Sequence, residues 1–364
     1  MRPGPKRPSL RYAAPARGGA AFRNTTGLFV FCRAGVAARS PEVKRGMTVL
    51  VDVHTHCYSH QYLALLENHG GEYRIARAPA GPPRLTWRGI PVVTLHPATY
   101  DIAVRFRDPR QARVGLHLIS TTVPNVYPFP PAIQEQAARL VNDELARWRD
   151  AYPDRVRGLA SLPMDGGGTV AEVDRALDAL GLSGFVIGTH VGRRDLDDPA
   201  YAPIFRRLHD RGATVLLHPM VPTRDGEHLR DHDLLSLVGF IGAITESVVR
   251  LTLTGFFRRY GNIRFILPQM GGAALWVGGR VRFGWPASAV APDPAPELFY
   301  DTLAFQPQAI AAAAQMVGAG HLLFASDYPH LGDAEAVWSH IAQANLGPDA
   351  EEAIGWRNAH RLFG

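Results

Sequence analysis

His54 and His56, spaced i, i+2 in "TVLVDVHTH", are the first residues whose types and spacing could do chemistry. On a strand, side chains two positions apart leave the same face, so both imidazoles point one way. His218 closes "TVLLHP" and Asp327 closes "HLLFASDYP". Three imidazoles and a carboxylate suit one divalent ion of the zinc type, with a position left for water. Singly, each has a plainer explanation: His-x-His on a strand is commonly incidental, and a strand-end aspartate commonly caps a helix. All four at the C-terminal ends of predicted strands point to a metal site.

Gln269 raises a different question. It follows the apolar run of "NIRFILPQ" and precedes Gly271-Gly272, a strand end where a parallel α/β barrel keeps its chemistry. An amide can hold a water or a substrate oxygen but cannot exchange a proton near neutral pH. Other candidates are less specific. His190 ends "GFVIGTH" and is a possible base, with a hydrogen-bonded structural role as the alternative. Arg193 and Arg194 suit a carboxylate-bearing ligand or a surface ion pair. Cys57 reads as packing, Trp276 as outer-layer packing with a pocket role as the alternative, and His228 and His232 as exposed loop residues.

The elements that must position these residues alternate along the chain. Apolar runs at 48–56, 114–122, 156–163, 184–190, 214–219, 262–269, 298–304 and 321–329 are separated by amphipathic stretches such as 133–148 and 171–180. Eight near-continuous apolar strands alternating with helices predict an α/β fold, a parallel (β/α)8 TIM barrel. Residues 57–112 interrupt the rhythm with a small β-containing insertion after the first strand. Its 84–95 segment reads as a hairpin turning at Arg88-Gly89. Loops after strands face the mouth of such a barrel, so the insertion is expected to form a lid or wall.

Composition narrows the class. The 364 residues are 46% hydrophobic and 20% charged, an ordinary soluble composition. The formal charge of +6 is set by residues 1–46, which hold ten Lys/Arg and one acidic residue; residues 47–364 hold 29 Lys/Arg and 32 Asp/Glu. Residues 1–46 are therefore read as a disordered or non-native leader and residues 47–364 as the barrel, with no nucleic-acid footprint. No apolar run reads as long enough to span a bilayer, and no membrane partner is expected. Two cysteines, Cys32 and Cys57, make no disulfide framework, which suits a reducing, cytoplasmic setting. The only lysines are Lys6 and Lys44, so the barrel has none for a Schiff base or for a carboxylated bridge between two metals.

The segments "VDVHTH", "GFVIGTHVGRRDLDDPAYAPIFRRL", "TVLLHP", "QMGGAALWVGGR" and "FASDYPH" together resemble the amidohydrolase-related superfamily. Within it they are most similar to the aminocarboxymuconate-semialdehyde decarboxylase and γ-resorcylate decarboxylase group, over about residues 48–363. The resemblance implies a (β/α)8 barrel, one divalent ion, usually zinc, and a homodimer. The family's ligands fall on His54, His56, His218 and Asp327, the four found from the residues themselves. An arginine that reaches the neighbouring subunit's site falls on Arg280. Two positions depart from the pattern: Gln269 stands where the family has its acid–base histidine, and Arg194 where it has a pocket tryptophan.

The resemblance implies a metal-dependent lyase, decarboxylase-like, acting on a small unsaturated or aromatic carboxylic acid, possible in secondary metabolism. Arg193, Arg194 and Arg280 would bind the substrate; Gln269, Asp327 and His190 would serve the chemistry. Two alternatives stand beside it. One is a metal-dependent hydrolase or hydratase working through activated water; the other is a non-catalytic, metal-stabilised binding protein.

Overall fold

Strand β1 (Leu50–His56) is buried at every position although its sequence, LVDVHTH, carries four polar side chains. The pleat explains this: Asp52, His54 and His56 share one face, and Val51 and Val53 fill the other. A computed structural model describes residues 49–222, 226–284 and 298–364. The leader expected over 1–46 and the proline-rich residues 285–297 lie outside the described residues.

After β1 the chain forms a three-stranded antiparallel sheet from β2 (Tyr73–Ala76), β3 (Arg84–Trp87) and β4 (Ile90–Thr94). It then runs through β5 (Val114–Ser120), β6 (Val156–Ser161) and β7 (Gly184–Gly188), and a short hairpin of β8 (His190–Val191) and β9 (Arg194–Asp195). The last strands are β10 (Thr214–His218), β11 (Arg264–Leu267), β12 (Leu298–Asp301) and β13 (Leu322–Leu323). Eight of these pair in parallel in the order β1-β5-β6-β7-β10-β11-β12-β13, the eight runs read from the sequence. The ring closes through the segment after β13. The Val53 N–H donates to the Phe324 carbonyl (3.1 Å), the His56 N–H to Tyr328 (2.8 Å) and the Asp327 N–H to His54 (2.9 Å). The fold is the expected (β/α)8 TIM barrel, with helices between its strands.

Local chemistry sets the elements. The helix Pro131–Ala151 begins with a proline in its first turn, where a missing N–H costs nothing, and buries Ala137, Ala138, Val141 and Leu145. In the insertion, the Ser59 side chain caps the helix His60–His69 by accepting from the Tyr62 N–H at 3.0 Å. Arg88 (φ 49°) and Gly89 (φ 78°) turn β3 into β4 with two left-handed residues, the geometry that matches strand twist in a two-residue hairpin. β2 adds a third strand that the sequence pattern did not announce, since four residues carry too short an alternation to read.

One expectation is corrected. The helical stretch Leu235–Leu253 spans 19 residues with a mean hydropathy of 1.4, long and apolar enough to cross a bilayer. It contains Glu246 and Arg250, and its Ala243, Ile244, Ser247, Val248 and Leu251 are buried within the fold, so it reads as a barrel helix.

Candidate active site

Each of the three histidines is oriented through its Nδ1. His54 Nδ1 lies 2.8 Å from Asp301 Oδ2, and a carboxylate can only accept, so Nδ1 carries the proton. His218 Nδ1 donates to the Pro219 carbonyl at 2.8 Å. His56 Nδ1 lies 3.0 Å from Ser120 Oγ, whose own proton is directed to the Thr55 carbonyl at 3.4 Å. In all three rings this leaves the lone pair on Nε2.

Those lone pairs converge. His218 Nε2 and His56 Nε2 are 3.2 Å apart, and Asp327 Oδ1 lies 3.2 Å from His56 Nε2 and 3.8 Å from His54 Nε2. The imidazole donor atoms lie within 4.8 Å of one another, and His54 Nε2 is buried with no hydrogen-bond partner. Two lone pairs at 3.2 Å repel unless a cation lies between them, so the residues fit one divalent ion. The structure thus brings His54, His56, His218 and Asp327 to one point.

The electrostatics agree. Burial, followed by neighbouring imidazoles, holds His56 and His218 well below the usual histidine range, the neutral form a metal requires. Burial also opposes charge on His54, but the Asp301 hydrogen bond and the nearby Asp327, Asp301 and Asp52 carboxylates raise it overall. Asp327 is pushed up to about 7, chiefly by burial, with His54 pulling the other way and Asp301 and Asp52 adding to the rise. Asp52 is raised to about 6 by burial against hydrogen bonds from Ser326 and His54. A bound divalent ion would reverse these penalties.

Sequence reasoning missed the supporting shell. Asp301 is fully buried, and its second oxygen accepts the Leu303 N–H at 3.1 Å. Arg105, also fully buried, donates to the His56 carbonyl and lies 4.7 Å over the Tyr328 ring. Tyr328 follows Asp327 and donates its hydroxyl to Asp108 at 2.7 Å. The insertion therefore grips both ligand-bearing segments. His330 stacks on His56 at 5.4 Å, and burial with the nearby His54, Arg105 and His96 lowers it to about 3. A lone Asp in "LFYDTLA" and a lone Arg in "IAVRF" were the available signals, polar residues inside apolar runs.

Gln269 is buried, takes φ 50°, and its Oε1 has no hydrogen-bond partner. It lines a cavity of about 550 Å³ with Leu237, Trp276, Leu303, Phe305 and Leu331 among others, over the ends of β11, β12 and β13. Of the two readings of Trp276 the pocket one holds: it stands 49% exposed and lines this cavity, on the helix Ala274–Gly284, which buries none of its residues.

The remaining candidates lie elsewhere. His190 and Arg193 line a second cavity of about 300 Å³, with His228, Leu229 and Arg250. His190 Nδ1 lies 2.9 Å from the Gly192 carbonyl, in the β8–β9 hairpin. Arg194 is exposed and sits 3.4 Å from Asp165. Arg280 is exposed on the helix Ala274–Gly284. Cys57 is buried, and that burial pushes its thiol to about 12.

Residues 51–364 match the amidohydrolase family model Amidohydro_2. The chain belongs to the amidohydrolase family. It is an enzyme of that superfamily, and the relatives it matches are decarboxylases. The 2-amino-3-carboxymuconate-6-semialdehyde decarboxylase of Dictyostelium discoideum is 27% identical over 242 residues, 63% of this chain and 67% of the relative. The γ-resorcylate decarboxylase of a Polaromonas species is 28% identical over 296 residues, 72% and 90% of the two chains. A dihydroxybenzoic acid decarboxylase from Polaromonas, solved with manganese and 2-nitroresorcinol, has the same fold. It superposes with a TM-score of 0.70 at 21% identity, covering 87% of this chain and 97% of the other.

Proposed function

We propose that this amidohydrolase is a metal-dependent decarboxylase of a small aromatic or unsaturated carboxylic acid. One observation carries the reading: three imidazoles, each fixed through Nδ1, aim Nε2 at a common point beside Asp327. The names of the curated relatives, decarboxylases of small acids, support the reaction class. Three nitrogen donors and a carboxylate make zinc the proposed ion, with manganese, present in the Polaromonas structure, as the competitor. Once bound, the ion supplies Lewis acidity toward a substrate oxygen.

The chain's own residues do the rest. His54, His56, His218 and Asp327 hold the ion; Asp301 and Ser120 fix two of the ring orientations. Gln269 lines the cavity and keeps a buried amide oxygen without a partner, which is proposed to accept from a substrate hydroxyl or an ordered water. It cannot deliver the proton that replaces CO2, a contribution typically worth about 10²–10⁴-fold. That role is proposed for His190, the residue after Thr189, whose N–H bonds the His218 carbonyl at 2.8 Å. Arg193 and Arg194 are proposed to attract the acid toward the barrel mouth.

The working form is proposed to be a homodimer, with Arg280 entering the partner's site. Its support is the helix that carries it, which ends beside Phe283, 96% exposed, and buries nothing of its own. Metal analysis with a CO2-release assay on aromatic and unsaturated acids tests the reading. Near one ion per chain with CO2 release is expected; hydrolysis or hydration products in place of CO2 would overturn it.

A further inference from the structure

Thr122 stands two residues beyond the end of β5 and is buried beside the histidine cluster. Its Oγ1 lies 3.4 Å from His218 Nε2. The His218 Nδ1 proton is already given to the Pro219 carbonyl at 2.8 Å, so Nε2 holds a lone pair and the Thr122 hydroxyl is the donor. Among the described residues, that nitrogen is the only hydrogen-bond partner of the hydroxyl. It is also one of the three nitrogens that fit the ion.

A lone pair serves one partner at a time. When an ion occupies His218 Nε2, the Thr122 proton loses its acceptor, and a buried hydroxyl without a partner is costly. The backbone keeps the residue in place. The Thr122 carbonyl accepts the Asn125 N–H at 2.7 Å, and the hydroxyls of Tyr58 and Tyr62 donate to the carbonyls of Val123 and Asn125, each at 2.5 Å. The other hydroxyl at the cluster does not compete, because Ser120 donates to the Thr55 carbonyl at 3.4 Å. One aspartate and three neutral imidazoles leave one positive charge of a divalent ion unbalanced, so an anionic oxygen is drawn there. A carboxylate oxygen only accepts, which is what the freed O–H requires.

We infer that Thr122 is a substrate-binding residue: its hydroxyl, released from His218 by the ion, donates to an oxygen of the substrate's carboxylate. The inference rests on the decarboxylase reading of the site. It gives the hydroxyl two effects of opposite sign. In the metal-free chain it competes with the ion for Nε2. In the loaded chain it adds a charge-assisted hydrogen bond to the acid. A threonine that served only to pack the end of β5 would show no such split.

The test compares the full-length parent with Thr122→Val, close in shape but without the hydroxyl, and with Thr122→Ser, which keeps it. Zinc affinity is read by competition with a chelator, and acid binding by calorimetry of the zinc-loaded protein with benzoate. The valine variant should bind zinc as tightly as the parent or up to about tenfold more tightly, and benzoate at least about tenfold more weakly. The serine variant should follow the parent in both. Should the valine variant fail to fold by circular dichroism, Thr122→Ala carries the same comparison. Zinc bound more weakly by the hydroxyl-free variant, or benzoate bound equally by it and the parent or by neither, would overturn the inference. CO2 release by the parent with benzoate affinity unchanged in the variant leaves the decarboxylase reading standing while this inference falls. The expected split, with no CO2 from any acid tested, does the reverse.

Discussion

Replacing Asp301 by asparagine should weaken metal binding although Asp301 touches no metal. The carboxylate has two acceptor oxygens and both are used: Oδ2 by the His54 ring at 2.8 Å, Oδ1 by the Leu303 N–H at 3.1 Å. Asparagine offers one acceptor oxygen and one NH₂. If its oxygen serves Leu303, the NH₂ faces His54 Nδ1 and drives the proton to Nε2, which then cannot bind metal. If its oxygen serves His54, the buried Leu303 N–H meets another donor, a mismatch worth about 1–3 kcal/mol. Outer partners of metal-bound histidines typically contribute about 10–100-fold in affinity, or roughly 1.4–2.7 kcal/mol. Competition with a chelator, read against the unsubstituted protein, should show a loss in that range with the barrel still folded by circular dichroism. Affinity within about twofold of the parent would refute the tautomer argument, since the charge and one acceptor would have been removed without effect.

His54→Ala, His218→Ala and Asp327→Ala should each lose the ion, whereas His190→Ala should keep it and slow turnover; elemental analysis and CO2 release read the two effects separately. Gln269→Ala should lower turnover at near-parental metal content, and Gln269→His should add an ionisation to the pH–rate profile. Metal affinity should fall as pH drops through about 7, the value to which burial raises Asp327 in the metal-free chain, because protonation there competes with binding; a titration flat between pH 8 and 5.5 would refute it. Arg280→Ala mixed with His218→Ala should recover part of the activity that each lacks alone, given subunit exchange, because one mixed site is then intact.

The barrel was legible because its strands are buried on both sides and so read as continuous apolar runs, each met in the fold. Pairing His54 with His56 followed from the pleat alone. Asp301 was not legible, because its partner lies 247 residues away and only the closed ring brings β12 to face β1. The hairpin that carries Arg193 and Arg194 was not legible for a local reason. The run at 184–190 appears to the eye as one strand, but β7 stops at Gly188 and the chain turns back at Gly192 (φ 56°). His190 thereby pairs with Asp195, and Val191 with Arg194, in a separate two-stranded hairpin.

The strand end at Gln269 shows how the backbone serves the site. Gln269, Met270, Gly271 and Gly272 take φ of 50°, 59°, 72° and 64°, four successive left-handed residues. For the two glycines this costs little, and a Cβ at Gly272 would meet Thr245 Oγ1 at 2.6 Å and the Ile241 carbonyl at 2.7 Å. For Gln269 and Met270 such a conformation costs on the order of 1–3 kcal/mol each. The position also keeps a buried amide oxygen without a partner, a second cost that a purely structural glutamine would relieve by turning toward a backbone donor. Strain and an unsatisfied acceptor at one residue, on the wall of a cavity bound by hydrogen bonds to the metal-ligand frame, are explained together by a donor that arrives with the ligand. An imidazole there would exchange protons; an amide only recognises them. At a position where the resemblance implies an acid–base histidine, Gln269 is therefore proposed to select the substrate and not to move its proton.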